Sequence, residues 1–228
     1  MVVDAFTPFE ITDGLVGWWK FDEGSGSTAT DASGNSNNLT LYNTDPEDWV
    51  AGLNGSGYAL DFDQTNEYGL ATDSTSLDLD EFTIGVRIKK TSSTDYAGIV
   101  TKSDASSVTG YNYSIREHAS GKIEASFYVS STPYSVISTQ ALSTGVSYYL
   151  FAVHDGSYLR LYVDCVETGT AVSVPGSPNT GSRDVYVGIA FRVGTPDTGR
   201  AFDGVIDNIR LYNRALNASE RASVCSGD

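Results

Sequence analysis

The chain has 228 residues, with 14 Lys and Arg against 29 Asp and Glu, a formal net charge of −15 and a pI near 4.3. This balance argues against nucleic acid or an anionic membrane as an electrostatic partner, and it disfavours acidic polysaccharides unless a metal bridges the two. With 23 glycines, 14 tyrosines and one methionine, it reads as a single strand-and-turn domain, and no run of 18 apolar residues offers membrane insertion.

Residues 1–13 form an N-terminal arm carrying Phe6, Pro8, Phe9 and Ile11 with few charges, and without the basic and apolar regions of a signal peptide. Such an arm either packs back as an extra edge strand or attaches to a neighbouring subunit, making an oligomer or a particle-bound protein. Residues 15–21 read as a strand with Trp18 and Trp19 on opposite faces. The polar stretch 22–38 follows, a loop with many potential oxygen ligands. Strands at 39–42 and 58–62 flank a loop that holds Pro46, Trp49 and Gly52.

The clearest half-buried strand is 82–89, where Phe82, Ile84, Val86 and Ile88 face inward. Shorter strands are expected at 97–101, 111–117, 122–129 and 134–139. Segments 146–154 and 158–164 flank Asp155-Gly156, a hairpin signal because both residues tolerate positive φ. A strand at 185–191, a polar loop at 192–200 and a closing segment at 201–216 complete the series. Asn217, with Glu220 three residues later, reads as the N-cap of a short helix reaching Val224.

The closing segment contains an anomaly. With a period of two, Val205, Asp207, Ile209 and Leu211 share one face, which puts an acid among apolar residues. A carboxylate on the core side is costly unless it is paired or ligates a metal. Hard oxygen ligands suit calcium better than zinc, so the expected partner of Asp207 is a structural Ca2+.

The same segment carries a family resemblance. Phe202, Gly204, Ile206, Asp207, Ile209, Arg210, Tyr212, Asn213, Arg214 and Leu216 resemble the closing strand of laminin G-like domains of the concanavalin A-like lectin and glucanase superfamily. Gly14 to Gly26, followed by Asp31-Ala32-Ser33-Gly34-Asn35, resembles the opening strand and its loop. A further match at 57–63 departs from the pattern at Gln64, where glycine is usual. The turn at 161–166 has Cys165 in a glycine position. The resemblance implies an all-β, two-sheet antiparallel jelly-roll sandwich with a short C-terminal helix over residues 14–228. It also implies that the first and last strands are neighbours, which would bring residues 22–38 toward Asp207, so that Asp22 or Glu23, backbone carbonyls of the 24–28 turn and Asn38 would complete the calcium site with Asp207.

Cys165 and Cys225 allow one disulfide, which would pin the tail and require an oxidising setting; the alternative is two thiols. His118 and His154 stand alone, without metal-ligand spacing. Glycoside hydrolases of this fold are expected to carry two carboxylates on one strand in an E-x-D-x-E run, and none is present. Asp78-Leu79-Asp80 and the pair Asp61 and Asp63 are the nearest approaches to it. Flat rings beside loops can stack on sugars, and Trp49 and Tyr113 are the candidates for glycan contact.

The sequence therefore points to a noncatalytic, lectin-like recognition or adhesion module that binds carbohydrate, is stabilised by calcium and is extracellular. One alternative is a structural component of an extracellular assembly, such as a virion decoration or tail protein. The other is a glycan-cleaving enzyme. The superfamily hosts all three classes, so fold alone does not choose.

Overall fold

The structure is a computed structural model that describes residues 10–104, 110–192 and 195–227. In chain order the strands are β1 (Leu15–Trp19), β2 (Thr28–Ala29), β3 (Leu39–Tyr42), β4 (Trp49–Ala51), β5 (Tyr58–Asp63) and β6 (Tyr68–Ala71). They continue as β7 (Phe82–Lys90), β8 (Gly98–Asp104), β9 (Gly110–His118), β10 (Lys122–Val129), β11 (Thr132–Ile137) and β12 (Ser147–His154). The last six are β13 (Tyr158–Val163), β14 (Val166–Ser173), β15 (Val185–Val187), β16 (Ile189–Arg192), β17 (Thr195–Ala201) and β18 (Asp203–Tyr212), followed by helix α1 (Ala218–Gly227).

The strands build a two-sheet antiparallel sandwich. The first sheet runs β14-β13-β12-β7-β18-β5-β4, with β1 also paired to β18. The second runs β11-β10-β9-β8-β15-β6-β3-β2, and β16 with β17 forms a separate hairpin. Opening and closing strands are therefore neighbours. On β7 the period-two pattern holds, and Ile84, Val86 and Ile88 are fully buried against residues such as Val100, Ile115 and Phe127 of the other sheet. Burying each such side chain contributes about 1.5–3 kcal/mol.

A second apolar cluster covers the outer face of the first sheet. Leu15, Trp18, Tyr149, Phe151, Tyr162, Tyr212, Leu216 and Val224 pack together there, with Ile11 against them. Trp18 and Trp19 do lie on opposite faces, and both are buried, Trp19 in the sandwich core and Trp18 in this outer cluster. Asn217 caps α1 reciprocally. The Glu220 amide donates to Asn217 Oδ1 at 3.0 Å, and the Asn217 amide to Glu220 Oε2 at 2.7 Å. The helix then continues past Val224 to a disulfide between Cys225 and Cys165, 60 residues apart in sequence.

Several expectations about elements are corrected. Trp49–Ala51 is a strand rather than loop, because its tryptophan packs into the core. Val166–Ser173 is an edge strand that escaped notice because its residues are largely exposed and do not alternate. Part of the polar segment 192–200 pairs as a hairpin strand, and Gly188 at φ +81° splits the strand expected at 185–191 into β15 and β16. Of the N-terminal arm, Phe6 and Phe9 lie outside the described residues, while Asp13 pairs with Arg214 at 3.0 Å.

Candidate functional site

The 22–38 loop is organised by an acid the sequence reading passed over. Asp31 accepts the amides of Trp18 (2.9 Å), Ser33 (2.8 Å) and Asn37 (2.9 Å), together with the Ser33 hydroxyl (2.9 Å). The Asn37 side-chain amide donates to the Val16 carbonyl at 2.8 Å, and the Asn37 backbone carbonyl accepts the Trp19 indole N–H at 2.7 Å. Charge-assisted bonds to several backbone amides hold a loop as firmly as a short ladder. Asp31-Ala32-Ser33 is a sequence signal for such a turn, since a short acid bonds the amide two residues on.

Asp207 has a different environment from the one its spacing suggests. It pairs with Arg87 across the ladder, and a bulge follows, with Asn208 in the left-handed region at φ +48°. The bulge reverses the strand's phase. Ile206 precedes it and Ile209 and Leu211 follow it on the core side, while Asp207 shares the opposite face with Arg87. Here β18 passes from its β5 neighbour, along 203–206, to its β1 neighbour, along 209–212. Asp207 and Asn208 close the handover: Asp207 Oδ2 accepts the Leu53 amide at 2.8 Å and Asn208 Oδ1 the Trp18 indole at 2.7 Å. Asp207 is only 3% exposed. Burial pushes its carboxyl up to about 6, against the opposing pull of the Leu53 N–H and Arg87, and the Asp22 charge adds to the rise.

The four expected calcium ligands divide between two places. Glu23 Oε1 accepts the Thr30 amide (2.7 Å) and Asn38 Oδ1 the Asp31 amide (2.9 Å), so both serve the opening loop. Asp22 Oδ1 accepts the Tyr58 amide at 3.2 Å, and with Asp207 it holds the two ends of the 52–57 turn, which Gly52 N–H closes onto the Gly57 carbonyl at 3.1 Å. No group of three or more His, Cys, Asp or Glu among the described residues is placed to hold a metal ion. Asp22 and Asp207 meet at the 52–57 turn, while Glu23, beside Asp22 on the cleft wall, and Asn38 bind amides of the opening loop.

The aromatic candidates are also corrected. Tyr113 is fully buried in the core, where burial, with the charges of Asp78 and Asp73, holds its hydroxyl well above the ordinary phenol range. Trp49 is a core residue whose indole N–H donates to the Gly26 carbonyl at 3.3 Å, beneath the loop. Neither can stack on a ligand. Among the described residues the rings open enough to do so are Tyr42, Tyr58 and Tyr158, 40%, 46% and 42% exposed, and the Arg160 guanidinium lies over the Tyr158 ring at 4.9 Å.

Tyr58 lies over Gly24, so closely that a Cβ at Gly24 would stand 2.6 Å from the ring. Tyr42 stacks on Tyr68, with centroids 4.8 Å apart and planes 13° from parallel, and Tyr68 in turn approaches Tyr186 at 6.0 Å. Continuing the β2–β3 register, in which Thr28 faces Thr40, places Gly26 across from Tyr42. A Cβ at Gly26 would meet nothing within 4 Å. The Tyr58 ring thus lies on the Gly24 end of the glycine-rich turn, and the ladder sets the backbone of Tyr42 across from its Gly26 end; a cleft of about 300 Å3 lined by Lys20, Asp22, Glu23, Thr30 and Ala32 opens along the same loop.

Acid–base candidates elsewhere serve the fold. Lys102 binds Asp73, Asp78 at 3.3 Å and the Arg183 carbonyl at 2.7 Å. Lys90 pairs with Glu117 at 2.8 Å, both buried between the sheets. Asp63 is held by Thr65, whose hydroxyl bond keeps its carboxyl below the usual range. His154 is buried against Phe82 and Phe127 and shares its Nδ1 with the Asp80 carbonyl at 2.9 Å; burial lowers its pKa.

Two antiparallel sheets face to face, closed by neighbouring first and last strands, define a lectin-like jelly-roll sandwich. The chain belongs to the laminin G-like family of the concanavalin A-like lectin/glucanases superfamily, whose model matches residues 62–220, more than two thirds of the chain. The match begins inside β5, so the opening motif lies outside it. No curated protein matches by sequence.

Among solved structures, domain 4 of AbnA, a GH43 extracellular arabinanase from Geobacillus stearothermophilus in complex with arabinotriose, superposes with a TM-score of 0.70 at 17% identity, covering 93% of this chain and 98% of that one. The binding domain of Paraclostridial Mosquitocidal Protein 1 gives 0.73 at 15% identity, over 95% of this chain and 52% of the other. Trypanosoma rangeli sialidase, in complex with the inhibitor DANA, gives 0.65 at 16%, over 94% and 33%. The chain thus spans nearly all of the arabinanase domain, about half of the toxin domain and a third of the sialidase. At these identities the likeness is one of fold.

Proposed function

We propose that this chain is a noncatalytic carbohydrate-recognition domain whose binding surface is the turn between Tyr58 and Tyr42. The observation that carries the reading is the exposed Tyr58 ring lying over Gly24, with the exposed Tyr42 in register with Gly26 on the neighbouring strand. Flat rings with polar edges match the apolar faces and hydroxyl rims of sugars, and a turn without side chains lets a ligand approach the backbone. Carboxylates at Asp22 and Glu23 make uncharged saccharides the natural class, because they accept hydroxyl donors and repel anions. The arabinotriose complex of a structurally similar domain supports carbohydrate as the ligand class. The disulfide supports an extracellular setting. No helix among the described residues is long and apolar enough to cross a membrane.

The test is calorimetric titration with a panel of neutral oligosaccharides that includes arabinotriose, on the wild-type chain and on Tyr42→Ala and Tyr58→Ala. Each substitution is expected to weaken binding about tenfold, on the order of one stacked ring. Saccharide binding indifferent to both would overturn this location.

Calcium becomes a narrower proposal: an ion held by Asp22 and Asp207, with backbone carbonyls and water completing its shell. Expected is a rise in melting temperature in millimolar Ca2+ that EDTA reverses and Asp22→Asn removes. An unchanged melting curve would exclude the ion.

A further inference from the structure

At one margin of the sandwich the edge strands of the two sheets, β11 and β14, are stitched by side chains in place of a ladder. The Thr139 amide donates to Thr168 Oγ1 at 2.9 Å and the Gly169 amide to Thr139 Oγ1 at 3.1 Å. Gly169, at φ +74°, comes so close to the Ile137 carbonyl that a Cβ would lie 2.3 Å from it. Beside the stitch a cleft of about 460 Å3 opens, with His118, Ser120, Lys122, Ser138, Thr139 and Thr170 on its walls.

In a chain with 29 acids, no carboxylate lines this cleft. His118 and Lys122 are cross-strand partners, so both side chains leave the same face of the sheet. The acid two residues along that face, Glu124, is already held by the Arg116 guanidinium at 3.1 and 3.2 Å. Lys90, Lys102, Arg160 and Arg214 each face a carboxylate. Among the described residues none stands at ion-pair distance from Lys122. His118 packs edge-on against Tyr96, ring centroids 5.7 Å apart, and donates Nδ1–H to the Ala119 carbonyl at 3.1 Å, so that Nε2 donates to an anion in the imidazolium form. Ser120 sits in the left-handed region at φ +71°, an uncommon conformation for a residue with a side chain, and functional sites often hold such residues.

Past Ser138 and Thr139 the cleft runs into a second one of about 410 Å3, walled by Leu142, Tyr148, Val163 and Val166. The carboxylate there, Glu167, is 3.8 Å from Arg160. The combined groove is cationic at one end and apolar, with an aromatic ring, at the other.

We propose that this groove binds an acidic saccharide, its carboxylate or sulfate between Lys122 and His118, its hydroxyls against Ser120 and Thr170, and the next sugar ring against Tyr148. The ligand class rests on the carbohydrate-recognition reading, but the site uses none of the residues of the Tyr42 and Tyr58 surface. Overall charge disfavours polyanions at long range; a charge-assisted hydrogen bond acts within a few ångströms and outlasts screening at physiological salt.

The test is calorimetry on the full chain at about 150 mM salt, with a uronate-bearing tetrasaccharide, a sulfated one and an uncharged one of equal length. The proteins are wild type, Lys122→Gln, His118→Gln and Tyr42→Ala, each checked by melting, since Lys122 and His118 are half-exposed. Expected is binding of an acidic ligand that Lys122→Gln weakens about tenfold and His118→Gln a few-fold, with Tyr42→Ala without effect. The stronger of the two acidic ligands identifies the anion. Neutral binding at the tyrosines with no acidic binding overturns this proposal and leaves the carbohydrate reading standing. Binding of no saccharide overturns both. Acidic binding that ignores Lys122→Gln places it elsewhere and also overturns the proposal.

Discussion

The outer faces of the two sheets are built differently. On the first sheet most of the apolar outer face is covered, with Tyr158 exposed at its β13 end and Tyr58 at the β5 end of the same sheet. Tyr149, Phe151, Tyr162 and Tyr212 lie beneath α1 and Leu216, Trp18 sits between Lys20 (3.9 Å) and Arg210 (4.5 Å), and Arg221 covers the Tyr162 ring at 4.0 Å. A disulfide fastens the cover. On the second sheet the β16–β17 hairpin covers Tyr186 with Ile189 and Ala201, but the row of rings runs out to an exposed Tyr42. The same residue types, tyrosine above all, are packed under a cover at one place and left exposed at another. What separates the two is whether a later segment of chain returns to cover them.

That contrast can be broken at several points. The largest effect is expected from the double substitution Cys165→Ser and Cys225→Ser. Removing a cross-link that closes 60 residues costs about 4 kcal/mol in the chain-entropy account, or a melting drop on the order of 10 °C for a domain of this size. Unchanged melting would mean the first face is held by packing alone.

A smaller effect is tied to pH at the second face. Glu67, next to Tyr68, is buried with its Oε2 on the Asp63 amide at 2.8 Å, and burial, with the charges of Asp48 and Asp63, lifts its carboxyl to about 7. Between its ordinary value near 4.5 and about 7 the folded state binds more protons than the unfolded one, so stability falls as pH rises through this window. Asp207 acts in the same direction up to about 6, and His154, whose pKa is lowered, opposes it below its ordinary value of 6.5. The loss attributable to Glu67 between pH 5 and 8 is about 1–2 kcal/mol after allowing for nearby solvent, and Glu67→Gln is expected to remove it in denaturant titrations at the two pH values.

The smallest changes distinguish the faces most clearly. Asn217→Ala removes a cap and costs about 1 kcal/mol, with saccharide affinity untouched. Tyr42→Ala loses one stacked pair, about 0.5–1.5 kcal/mol, yet is expected to lose most neutral-saccharide affinity. Equal effects of both on binding would dissolve the contrast.

Much of the covered face was legible in the chain. Asn217 and Glu220 carry the capping box, Cys165 and Cys225 allow only one bond, and the closing strand announces its neighbour through motif. The recognition face was less legible. Nothing local tells an inward tyrosine from an outward one: Tyr113 and Trp49 read like Tyr42 and Tyr58 in sequence, yet the first two are buried and the last two exposed. The phase of Asp207 failed for a similar reason: one left-handed Asn208 shifts every residue after it, and asparagine tolerates that conformation without marking it in the pattern. Asp31 stands in the opening motif, but nothing local marks its carboxylate as saturated by the amides of Trp18, Ser33 and Asn37.

The most direct measurement is a crystal structure of the protein soaked with a neutral oligosaccharide that binds it in solution. Sugar density lying against Tyr42 or Tyr58, across the open turn at Gly24 and Gly26, is the expected result. Density confined to any other part of the surface, with both rings uncovered, would contradict the account.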